Sequence, residues 1–142
     1  MTLRAFAEAA VSTAADTGDT SRQGWRVRLA QSGLGLTGEA LEYEEARKDR
    51  SRVLSFEHDG DARQKAHREA VDELSDLAWY FAIGCRAIDF WPSLPSDAVG
   101  PPQCAGLRGG GSIICEAAKK ALWHGLGRER ARRVAAPGFQ AV

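Results

Sequence analysis

The chain has 142 residues, with 19 Lys plus Arg balanced by 19 Asp plus Glu. That length suits one domain with a real core, and the balance excludes a strong field for nucleic acid or an acidic membrane surface. Three cysteines, Cys85, Cys104 and Cys115, lack C-x-x-C spacing and paired histidines, which argues against a zinc site or a disulfide framework and fits a reducing compartment.

Leu3 to about Ala15 reads as a helix, because Leu3, Phe6, Ala10 and Val11 recur at helical spacing. Glu8 falls where a signal peptide would be apolar, and no run approaches a membrane span, so a cytoplasmic protein is expected. Asp16 to Ser21 is a turn cluster, with Ser21 an N-cap for the segment opened by Trp25, Val27 and Leu29. Gly33, Gly35 and Gly38 would weaken a helix there by about 1 kcal/mol each against Ala. They also let helices, or a phosphate, come close to the acids that follow.

Those acids organise the chain. Glu39 with Glu42, and Glu73 with Asp76, are each spaced i, i+3 on strongly helical sequence, which puts each pair on one helix face. Like charges so placed repel, and a hard cation such as Mg²⁺ or Mn²⁺ reverses the sign. For either pair alone the alternative is a solvated charged flank. On the second helix, Ala70, Leu74, Leu77 and Phe81, with Val71, Ala78 and Cys85, make an apolar stripe. Glu69, Glu73, Asp76 and Tyr80 border it. The first acidic helix runs to about Arg50, where Arg47, Lys48 and Arg50 suit a C-terminus and Lys48 is a candidate phosphate contact. Ser51 to Ala62, with the turn signal Asp59-Gly60, is expected to be a loop in which Phe56 packs onto the bundle. The second helix then spans about 62–88. Neither acidic segment carries E-x-x-H, which counts against a di-iron bundle.

Residues 91–111 are rich in Pro and Gly and read as a linker or lid. Ser112 is the expected N-cap of a last helix through Leu122, followed by a tail whose Arg128, Arg130, Arg132 and Arg133 read as a solvated helix end. The chain is thus divided into a helical module at 1–90, a linker at 91–111 and a C-terminal helix and tail at 112–142.

Gly35-Leu36-Thr37-Gly38-Glu39-Ala40-Leu41-Glu42 and Asp72-Glu73-Leu74-Ser75-Asp76-Leu77-Ala78-Trp79-Tyr80 resemble the E-x-x-E and E-x-x-D motifs of MazG-like nucleoside triphosphate pyrophosphohydrolases. The resemblance covers about half the chain. It implies an all-α bundle of four to five helices completed by homodimer or homotetramer formation. It also implies metal ligands at Glu39, Glu42, Glu73 and Asp76, and Mg²⁺-dependent cleavage of an NTP or dNTP between the α and β phosphates. The separation of Glu42 from Glu73 is long for that family and implies a larger loop between the helices. Lys119-Lys120 through His124-Gly125 and Pro137-Gly138-Phe139 are similar to further runs of such chains, as in a degenerate second repeat, with Tyr80, Lys119 and Lys120 as candidate substrate contacts. A dUTPase-like or phosphoribosyl-ATP pyrophosphohydrolase-like enzyme, or a non-catalytic nucleotide- or protein-binding relative, are the alternatives.

Overall fold

The computed structural model describes residues 5, 8–10, 12, 24–57, 59–92 and 104–141. Four long helices follow in chain order: α1 (Gly24–Phe56), α2 (Gly60–Ile88), α3 (Cys104–Trp123) and α4 (Arg128–Ala141). Residues 5, 8–10 and 12 are helical as expected, and Ala10 is buried beside Ala82, with Trp79 and Trp91 around them. No strand occurs among the described residues, and the architecture is an all-α bundle. The expected N-cap at Ser21 and most of the segment 91–103 lie outside the described residues.

α1 and α2 form a hairpin whose connection is far shorter than the loop expected over 51–62. Helix continues to Phe56, and Asp59 caps α2 by accepting from the Asp61 amide at 2.9 Å. Arg63 closes the turn, donating through Nε to the Glu57 carbonyl at 2.8 Å and through Nη2 to the Leu54 carbonyl at 3.2 Å. Carbonyls that α1 would leave unmade at its end are thereby satisfied. The long spacing between the acidic pairs is therefore taken up by two longer helices and no larger loop. Phe56 is 78% exposed and does not pack onto the bundle.

The core lies between α1, α2 and α3 and is closed by α4. Leu29, Leu36, Ala40 and Tyr43 from α1 meet Leu77, Phe81, Cys85 and Ile88 from α2 and Leu107, Ile114, Ala117 and Ala121 from α3. Phe139 of α4 sets its ring edge-on to Phe81 at 5.5 Å between centroids. The α2 stripe is only half as wide as its sequence suggests. Ala70, Leu77, Phe81 and Cys85 are buried, whereas Val71, Leu74 and Ala78 face outward, because α2 packs mainly against α1, with α4 touching it and α3 lying on the other side of α1.

Two expectations about the C-terminal third need correction. α3 begins at Cys104, ahead of Ser112, and carries Gly109-Gly110-Gly111 inside it. The reason is close helix approach: a Cβ on Gly111 would meet the Gly33 carbonyl oxygen at 3.3 Å, and one on Gly33 the Cys115 amide nitrogen at 2.8 Å. The tail is itself a helix, and its arginines are not merely solvated. Arg128 donates through Nε to the Ala87 carbonyl at 2.8 Å and through Nη2 to the Arg86 carbonyl at 3.2 Å, satisfying the C-terminus of α2 with a cation. Gly125, at φ +66, ends α3, with the Leu126 amide donating to the Lys120 carbonyl at 3.2 Å. The positive-φ glycine turns the chain back at the end of α3, which gives the His124-Gly125 run a structural role.

Glycine substitutions should separate packing from propensity. A Cβ at Gly84 would collide with Ser32 Oγ and the Phe139 ring, whereas one at Gly109 meets nothing within 4 Å. Gly84→Val should cost about 1–3 kcal/mol by overpacking, and Gly109→Ala should gain about 1 kcal/mol from helix propensity. Thermal melts of the two variants check both signs, and equal effects would refute the close-packing account.

Candidate metal centre

The short connection fixes the height of the acids. Glu42 lies about four turns before the end of α1, and Glu73 about four turns after the start of α2. In an antiparallel hairpin such equal arms bring the two pairs side by side. Glu39, Glu42 and Glu73 each offer a carboxylate oxygen, and these three atoms lie within 4.8 Å of one another. Asp76 stands outside this triad. It lines a cavity of about 240 Å³ together with Glu39, Trp79 and Tyr80.

The electrostatics are those of crowded carboxylates. Glu39 is pushed up to about 7, by burial first and then by the charges of Glu42, Asp76 and Glu73. Glu73 is also raised, again by burial first and then by Glu42. A hydrogen bond joins Glu39 to Glu73, and it favours the proton on Glu39 and the charge on Glu73. The Tyr80 hydroxyl is raised by burial and by the negative charge of Glu39, Asp76 and Glu42. Among the described residues no Lys or Arg pairs with these acids: the ion pairs form at Glu44, Asp49, Glu69, Glu116 and Glu129. Three carboxylates on two rigid helices match the donor chemistry of a hard divalent cation.

Packing explains the glycine that precedes the first acids. Gly35 lies directly under the Tyr80 ring, where a Cβ would overlap ring carbons. Tyr80 is thereby held against α1 beside Glu39. Trp79 enters the sequence reading only as a flanking residue of the second motif, without a site role; it forms the other wall of the cavity, its ring edge-on to Tyr80 at 4.9 Å. Its signal was its adjacency to Tyr80, which puts it on the next face of the helix.

The candidate basic contacts are engaged elsewhere. Lys48 pairs with Glu44 at 2.8 Å, while Lys119 and Lys120 both pair with Glu116 at 3.6 and 3.5 Å. Lys119 lines an apolar groove with Ala30, Leu34 and Trp123. None of the three lines the cavity beside Glu39 and Asp76.

No family model matches the chain, and neither a curated protein nor a solved structure is found to be similar to it.

The raised carboxyl has a consequence for stability without metal. Glu39 titrates near 4.5 in an unfolded chain and near 7 in the fold, so its contribution is fully present below about pH 4.5. That contribution is lost as pH rises through about 7. In the presence of chelator the melting temperature should therefore fall between pH 5 and 8, and Glu39→Gln should flatten this slope. An equal slope in wild type and variant would remove Glu39 from the crowded centre.

Proposed function

We propose that the protein is a Mg²⁺-dependent nucleoside triphosphate pyrophosphohydrolase, converting an NTP or dNTP to the monophosphate and pyrophosphate. The observation that carries this reading is the meeting of Glu39, Glu42 and Glu73 from two helices within 4.8 Å, in sequence that resembles the E-x-x-E and E-x-x-D motifs. A divalent cation would relieve the repulsion of like charges so brought together. Mg²⁺, with Mn²⁺ as a substitute, would be held by these three carboxylates. When bound, it supplies neutralisation and orientation of the triphosphate and activation of a water.

The chain's own residues divide the remaining work. Asp76 is the carboxylate left outside the triad, and it faces the cavity shared with Glu39. It is placed to accept the proton of the attacking water at a carboxylate oxygen. The rings of Trp79 and Tyr80 wall that cavity and offer flat surfaces to a nucleobase. Leu41, Val71 and Leu74, at 47%, 45% and 39% exposure, flank the acids in sequence. A homodimer or homotetramer that covers them would exclude water from the site and strengthen its electrostatics.

A panel of nucleoside triphosphates assayed for pyrophosphate release tests the reaction, and release of orthophosphate instead would refute it. With Mg²⁺ at 100 times its dissociation constant, wild type should gain about 2.7 kcal/mol of stability. Glu73→Gln should lose most of that gain together with activity. Asp76→Asn should keep the greater part of the Mg²⁺ gain while its rate falls on the order of 10²–10⁴-fold, the usual effect of losing a general base. Loss of both properties in Asp76→Asn would return Asp76 to the metal's ligand set.

Assembly is tested separately. Light scattering should give a dimer or tetramer at micromolar concentration, shifted toward monomer by the double substitution Val71→Lys and Leu74→Lys. A well-folded, active wild-type monomer would overturn this part of the proposal.

A further inference from the structure

The buried face of α1 passes through Leu29, Leu36, Ala40 and Tyr43. Continued at helical spacing, it reaches Arg47, Arg50 and Leu54. Two arginines thus occupy positions where the stripe calls for core residues. With Lys48, Ser51 and Leu54 they line a cavity of about 450 Å³, a size typical of small-molecule sites.

The charges of this cavity are unevenly compensated. Lys48 is paired with Glu44 at 2.8 Å, and nearby Arg52 with Asp49 at 3.3 Å. Among the described residues no carboxylate comes within 4.0 Å of Arg47 or Arg50, and Glu44, already paired with Lys48 and Arg108, acts on Arg47 only at longer range. Arg50 Nε is buried and has no hydrogen-bond partner. A buried donor on a charged group left unmade is costly, and a guanidinium fork matches a phosphoryl group with two parallel bonds. Arg47, Arg50 and Ser51 stand more than one turn before the end of α1 at Phe56, clear of the last turn where the helix dipole would oppose an anion.

We propose that this cavity is a second site, independent of the acidic triad, that binds a small organic phosphate. Arg47 and Arg50 hold the phosphoryl oxygens, the Ser51 hydroxyl adds a donor, and Leu54 carries the organic part. Free phosphate would share the arginine contacts but leave most of the cavity and its apolar wall unused. Arg50 lies about 12 Å along α1 from Glu42 at 1.5 Å per residue, so the two sites do not share one phosphoryl group.

Calorimetric titration in chelator, with adenosine 5′-monophosphate and inorganic phosphate as separate probes, tests the proposal. The nucleotide should bind at least tenfold more tightly than phosphate, and more weakly as salt rises. Arg47→Gln with Arg50→Ala should weaken nucleotide binding by more than tenfold. The single, exposed Arg47→Gln, which leaves the half-buried position untouched, should weaken it by a smaller factor and guards against a folding defect. Glu73→Gln should bind as wild type does, which separates this site from the metal reading: that variant fails the metal test without affecting this one. Absence of nucleotide binding, equal affinity for both probes, or undiminished binding in the arginine variants would each overturn the proposal.

Discussion

Everything in this bundle follows from joining two long helices by a connection as short as the one between Phe56 and Gly60. So short a turn leaves the helices one arrangement, antiparallel and side by side, with residues equally distant from the turn brought to the same height. Glu39, Glu42 and Glu73 are placed together by that rule. Burial first, and their mutual repulsion second, oppose the arrangement and raise the carboxyls of Glu39 and Glu73. The compensation lies in apolar and close contacts remote from the acids. Tyr43, Leu36 and Leu77 are buried on the inner faces, α3 presses onto α1 at Gly33 and Gly111, and Arg128 ties α4 to the last carbonyls of α2. The acidic centre is held by parts of the chain that have no share in its chemistry.

The division of labour also explains what could be read from the residues and what could not. Glu39 with Glu42, and Glu73 with Asp76, were legible because a spacing of three on a helix fixes a common face without tertiary knowledge. The helices around them, and the turn at Asp59-Gly60, were legible for similar local reasons. Gly109 to Gly111 were misleading, because local propensity counts each as a cost, whereas Gly33 and Gly35 do admit the close approach their size suggested. What the sequence did not name is the neighbour: Cys115 against Gly33, Tyr80 against Gly35, Thr37 against Gly111, and none against Gly109. No local rule contains that neighbour. Nor does periodicity on α2 tell which half of a broad stripe is covered, and Val71, Leu74 and Ala78 lie outside because α3 packs elsewhere.

The departure of Asp76 from the triad shows the same limit at finer scale. Its spacing from Glu73 equals that of Glu42 from Glu39, so the sequence treats the two pairs alike. In space they are unequal, because α2 turns Glu73 toward both acids of α1 while Asp76 lies a turn beyond, beside Tyr80. A symmetric motif thus becomes an asymmetric site, with three donors gathered and a fourth set against the cavity. Asymmetry of this kind is what lets identical side chains take different roles, since position decides which of them a cation satisfies and which retains its basicity.

Charge balance in the whole chain conceals this local order. Nineteen basic and 19 acidic residues sum to neutrality, yet α1 alone passes from the acids at Glu39 and Glu42 to Arg47 and Arg50. Screening makes the separation matter. The Debye length is about 8 Å at physiological ionic strength, and eight residues of helix span about 12 Å. Neither cluster therefore neutralises the other through solvent, and each presents its own field to what approaches it. Net charge speaks to encounters at long range, where the molecule is indeed featureless. Within a few ångströms the described residues offer an anionic cluster shared by α1 and α2 and, farther along α1, a cationic groove.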